Sequence, residues 1–125
     1  MATYIILSNF TEQGIRTVRE TTNRADAVRE TARKFGVTVK DIYWTLGEYD
    51  VVSVFEAADE ASITALCLAI GQAGNIRTQM LRAFNKEEMK GVLAKLATAR
   101  SRRIFLRVGS TITSAATAKY AAAFL

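Results

Sequence analysis

Four runs of strand-forming residues and two helical runs follow one another along this chain in the order β-α-β-β-α-β, an order that few folds accept. Tyr4-Ile5-Ile6-Leu7 opens it as a short run of strand formers. Asn9 to Thr22 is polar and reads as a long connection with one helical turn. Asn23 is placed to cap a helix over residues 24–35, where Ala25, Val28, Ala32 and Phe35 recur at helical spacing and Gly36 ends the run. Val39 to Leu46 and Tyr49 to Glu56 are strand-like and separated by Gly47-Glu48. Glycine first in a two-residue loop suits a type II′ turn. Asp59 caps a second helix with Ile63, Leu66, Cys67 and Ile70 on one face, and Gly71 and Gly74 mark its end. Asn75 to Phe84 is the fourth strand. Asn85-Lys86-Glu87-Glu88 has the spacing of a capping box and opens a further helix with Met89, Val92, Leu93 and Leu96 on one side.

The order predicts an α+β fold of the split βαβ, or ferredoxin-like, type: a four-stranded antiparallel sheet with two helices on one face, plus an extra C-terminal helix. Strand alternation divides the sheet residues into two sets. Ile5, Leu7, Ile42, Trp44, Leu46, Val52 and Val54 are almost purely apolar and are assigned to the face under the helices. Tyr4, Ile6, Ser8, Tyr43, Thr45, Tyr49, Val51, Ser53 and Phe55 are assigned to the uncovered face, yet they are too apolar for an open sheet surface. The expected cover is a second copy of the chain, sheet against sheet. Burying a few hundred Å² at ~25 cal/mol/Å² contributes on the order of 10 kcal/mol before association costs.

The formal charge of +5 is unevenly placed. Residues 1–98 carry 12 basic and 12 acidic side chains, so the whole excess lies in Arg100, Arg102, Arg103, Arg107 and Lys119. The chain is read as a neutral domain, residues 1–98, followed by a basic extension, residues 99–125. Histidine is absent, which removes the commonest general base and metal ligand and excludes a serine–histidine or cysteine–histidine pair within one chain. With the single cysteine Cys67, no metal site and no cofactor is expected. One cysteine also suits a reducing compartment, so a cytoplasmic location is expected. No run reaches the ~20 apolar residues of a membrane span, and the N-terminus lacks the pattern of a signal peptide.

Trp44-Thr45-Leu46-Gly47-Glu48-Tyr49-Asp50-Val51-Val52 resembles the signature of the GYD-domain family, in which glycine is followed closely by tyrosine and aspartate, here Gly47, Tyr49 and Asp50. Asn75-Ile76-Arg77-Thr78 with Leu81-Arg82-Ala83-Phe84 is similar to the family's later strand, and Tyr4-Ile5-Ile6-Leu7 with Asn9-Phe10-Thr11 to its opening. The resemblance spans residues 1 to about 96 and leaves residues 99–125 outside. It implies a ferredoxin-like dimeric α/β-barrel but no particular function. Similar barrels include cofactor-independent monooxygenases, isomerases, haem-degrading enzymes and regulatory ligand-binding modules.

Two functional readings follow. In the first, the chain is a small-molecule-binding homo-oligomer, with or without cofactor-independent catalysis. Its site would use Tyr43 and Tyr49 as acids or hydrogen-bond donors, Asp50 as base, Arg77 as anion clamp and Phe55 as lining. Against it, the tyrosines serve equally as interface aromatics, and Asp50 as a turn residue or a partner of Arg77 or Arg82. In the second, the chain is a non-enzymatic accessory subunit that docks on a larger complex through residues 99–125, using Arg102, Arg103, Phe105, Arg107, Tyr120 and Phe124. Nucleic acid is disfavoured as a partner, because the folded part is neutral and four clustered arginines give only weak, salt-sensitive attraction. Cys67, beside Leu66 and Ile70, is read as inert packing.

Overall fold

A computed structural model describes the backbone of residues 1–99 and the side chains of residues 1–96. Strand β1 (Ala2–Phe10) is followed by a short helix α1 (Glu12–Arg16), a 3₁₀ turn (Val18–Glu20) and helix α2 (Thr21–Lys34). Strands β2 (Val37–Trp44) and β3 (Val51–Ala57), helix α3 (Glu60–Gln72), strand β4 (Ile76–Ala83) and helix α4 (Lys86–Ala99) complete the order. The sheet is antiparallel with strand order β2-β3-β1-β4, as the sequence order requires. Met1–Phe84 forms one compact unit, and α4 belongs to a second unit that starts at Asn85.

Most local signals behave as their chemistry dictates. Asp59 caps α3, its carboxylate accepting from Ser62 N at 2.7 Å and holding its pKa below the usual aspartate value. Asn85 and Glu88 form the reciprocal capping box, Glu88 N donating to Asn85 Oδ1 (2.8 Å) and Asn85 N to Glu88 Oε1 (3.0 Å). Gly36 and Gly74, both at positive φ, follow α2 and α3.

Three local expectations need correction. Asn23 does not cap α2, which starts two residues earlier; its amide donates instead to Glu20 Oε2 at 2.8 Å. The polar stretch after β1 is also more structured than a single turn, because the preceding backbone folds onto the end of α3. Thr11 N donates to Asn75 O, and the Thr11 hydroxyl donates to Gly74 O while accepting from Gly14 N. The β2–β3 connection is longer than Gly47-Glu48. Thr45 N donates to Asp50 O (2.9 Å), so the hairpin closes at that pair and leaves Leu46–Tyr49 as the connection, with Leu46 fully exposed rather than in the core.

The most consequential correction concerns the faces of the sheet. Across-strand register places Trp44, Val51, Ser8 and Thr78 in one row and Ile42, Ser53, Ile6 and Met80 in the next. Val39, Phe55, Tyr4 and Arg82 form a third. These rows lie under α2 and α3, where Tyr4, Ile6 and Phe55 join Ala32, Val37, Ala57, Ile63 and Leu66 in the core. The uncovered face carries Tyr43, Val52, Leu7 and Gln79 in one row and Asp41, Val54, Ile5 and Leu81 in the other. The β1 and β3 residues assigned to each face are therefore exchanged, while Ile42, Trp44 and Tyr43 stand where the alternation put them. The assignment rested on giving the helices the more apolar set. That rule assumes that the helices are the only cover the sheet will have.

Gly14 is required by space. A Cβ there would collide with the carbonyl oxygen of Asn75, the same oxygen that receives Thr11 N. Gly14→Ala is expected to destabilise the protein by about 1–3 kcal/mol, the range for overpacking a tight contact. Urea unfolding followed by circular dichroism measures it.

Candidate functional site

The residues singled out by the sequence fall on two sides of the sheet. Tyr43 lies on the uncovered face and is 56 % exposed. Tyr49, from the β2–β3 connection, reaches across to β4, its hydroxyl donating to Gln79 Oε1 at 3.0 Å. Arg77 is exposed on β4 opposite Asn9, next to that face. Phe55 is buried on the opposite side, beneath the helices. The structure thus brings Tyr43, Tyr49 and Arg77 to one surface and separates Phe55 from them.

Asp50 sits where the hairpin meets β1. Its Oδ2 accepts from Phe10 N (2.9 Å), and its own N–H donates to Ser8 O (2.9 Å). These bonds extend the β1–β3 ladder past the last paired residues and tie the Gly47-Tyr49-Asp50 signature to the central strand. Asp50→Ala strands the half-buried Phe10 N–H and is expected to cost about 1–3 kcal/mol, with Asp50→Asn losing less because it keeps an acceptor oxygen. Thermal melts of the two variants test this.

Under the helices lies a feature that residue type alone did not reveal: a cavity of about 230 Å³ within the Met1–Phe84 unit. Its floor is sheet, with Ile6, Ser8, Ser53 and Phe55 all buried, and its roof is α2 and α3. Alanines 25, 69 and 73 and serines 8 and 53 are among its lining residues, short side chains that leave space between the helices and the sheet. Thr21, Arg24 and Trp44 form its less buried rim, and Trp44 Nε1 donates to Thr21 Oγ1 at 3.0 Å. Trp44 is on the helix side as its alternation predicts, yet it is 45 % exposed rather than core. Arg24 carried no motif; only its place among the cavity-lining residues distinguishes it from the other arginines of α2.

Burial pushes the Cys67 thiol above its ordinary pKa, partly opposed by a hydrogen bond with Thr78. Iodoacetamide at pH 8 is expected to alkylate Cys67 far more slowly in the folded protein than after urea unfolding, read by mass spectrometry. Among the described residues no cluster of three histidine, cysteine, aspartate or glutamate side chains is placed to hold a metal ion. No described helix is long and apolar enough to cross a membrane. The partner-docking residues Arg102, Arg103, Phe105, Arg107, Tyr120 and Phe124 lie outside the described residues.

The chain is similar to known proteins in family, sequence and structure. The family model described as GYD domain matches residues 4–93. A protein of Thermus thermophilus described as "Glutamine synthetase and cystathionine beta-lyase binding protein" is 38% identical over 85 residues, covering 67% of this chain and 90% of the relative. The crystal structure of TTHA0845, also from Thermus thermophilus, is similar with a TM-score of 0.46 and 23% identity, over 68% of this chain and 95% of that one.

Proposed function

Since this chain belongs to the GYD-domain family, we propose that it is a non-catalytic accessory protein that self-associates through its uncovered sheet face and docks on a metabolic enzyme. The observation that carries the reading is the relative that shares 38% identity across 90% of its length and is named for binding two enzymes. The partner is then an enzyme of that kind, glutamine synthetase or cystathionine β-lyase.

The uncovered face supports the self-association. Ile5, Leu7, Val52, Val54 and Leu81 form its centre, and Asp41, Glu56, Thr3 and Arg77 surround them. An apolar centre with a polar rim is the anatomy of a protein interface. Strands ~4.8 Å apart and roughly eight residues long present on the order of 500 Å² of face. Two faces bury on the order of 1,000 Å², just below the ~1,200 Å² at which specific interfaces begin. The exposed Tyr43 and Leu46 beside the hairpin supply the remainder. In this reading Tyr43 and Tyr49 are interface aromatics, and two sheets packed face to face form the dimeric α/β-barrel. Residues 99–125, beyond the matched 4–93, form the basic arm that adds contacts to an acidic patch of the partner.

Light scattering is expected to give a dimer for the full chain at micromolar concentration and a monomer for Val54→Lys, which places a charge at the centre of the face. A wild-type monomer refutes the interface. Pull-down of purified glutamine synthetase and cystathionine β-lyase from the same host is expected to retain at least one of them, more weakly for a chain ending at residue 98. Retention of neither by the full chain refutes the accessory role.

A further inference from the structure

We propose that the cavity beneath α2 and α3 is a binding site for a small monocarboxylate with a compact apolar body, such as an aryl- or branched-alkyl-substituted short-chain acid. This goes beyond docking on an enzyme and rests on different residues.

Size and polarity define the ligand class. An apolar cavity of ~150 Å³ accepts benzene. A volume of about 230 Å³ therefore has room for a ring or branched chain with a short polar extension. Ile6, Phe55, Val28 and Ile70 supply apolar walls. Ser8 and Ser53 are 2 % and 5 % exposed, and neither hydroxyl forms a side-chain hydrogen bond with another described residue. Both line the cavity, and among the described residues no buried side-chain oxygen or nitrogen is left sealed without a partner, so these hydroxyls face the open space. They offer two polar points on an otherwise apolar floor.

Arg24 defines the charge. Its Nη1 donates to Thr17 O (2.9 Å) and Thr17 Oγ1 (3.0 Å), and its Nη2 to Gly14 O (3.2 Å). All three acceptors are neutral, and no described carboxylate pairs with it. Those bonds use three of the five guanidinium N–H groups and leave the Nε–H and one Nη2–H. That remainder is what side-on recognition of one carboxylate uses. The guanidinium is held in place by backbone before any ligand arrives, so little rotamer freedom is lost on binding. One cation at the edge of one apolar cavity favours a single negative charge.

Trp44 is the chain's only tryptophan and lines the cavity, so its fluorescence reports occupancy. The test titrates the full-length protein with 3-phenylpropanoate and with 3-phenylpropan-1-ol, which has the same body without the charge. The acid is expected to give a saturable change in Trp44 emission and to bind about tenfold more tightly than the alcohol, the scale of a charge-assisted hydrogen bond. Arg24→Gln is expected to abolish the preference for the acid over the alcohol. Because Arg24 also holds the backbone of Gly14 and Thr17, Ser53→Leu provides a second variant that fills the floor; it is expected to abolish the response to both compounds. Equal wild-type affinity for acid and alcohol, no saturable response to either at several millimolar, or undiminished binding by Ser53→Leu overturns the proposal. None of these readings requires a partner enzyme, so failure of the accessory role leaves the test intact.

Discussion

Strand β1 is hydrogen-bonded along both edges, to β3 on one side and β4 on the other, and nearly everything else in the Met1–Phe84 unit is placed by it. Its alternate residues serve two environments. Tyr4, Ile6 and Ser8 point under the helices, and Ile5 and Leu7 point to the uncovered face. Both sets are needed, because a central strand with apolar residues on each side can only rest between two covers. α2 and α3 provide one cover. No described element of the Met1–Phe84 unit covers the opposite face.

The two ends of β1 are fastened by different devices. At its C-terminal end the chain turns into Thr11, whose backbone and hydroxyl reach Asn75 and Gly74 beyond α3, while Gly14 permits the close approach. Beside it, the Asp50 carboxylate and N–H bind Phe10 and Ser8. The family signature is therefore a structural clasp in this chain: Gly47 takes positive φ in the connection, Tyr49 crosses to Gln79, and Asp50 joins the hairpin to the central strand. A carboxylate that accepts a backbone N–H at 2.9 Å already has an occupation, which weakens its claim as a general base.

The helices over the sheet are not uniformly close-packed against it. Where α2 and α3 approach each other over β1 and β3 they present alanine, and the strands present serine. Packing there is sacrificed, whereas Ile63, Leu66, Ala32 and Ala57 a short distance away are completely buried. Dense core and cavity thus occupy different parts of the same helix–sheet interface. The dense part maintains the fold and leaves the composition of the cavity wall less constrained by packing.

By itself the sequence determined the element order, the caps at Asp59 and Asn85, the glycine stops and the neutral charge of the folded part, because each depends on neighbours within a few positions or on composition. The hairpin was legible as a turn around Gly47-Glu48, though its connection is longer and its β2 strand is irregular between Val39 and Asp41. Tertiary structure decided which face of the sheet the helices cover. Both faces of β1 and β3 are apolar, and apolarity ranks burial without saying by what. It also decided that Asn23 would sit inside a helix, since the entry to α2 is set by how the Thr11–Glu20 backbone packs rather than by the nearest good cap. The cavity was illegible for the same reason: Arg24, Ser53 and Ala69 lie far apart in sequence and acquire a common purpose only when α2, β3 and α3 are stacked.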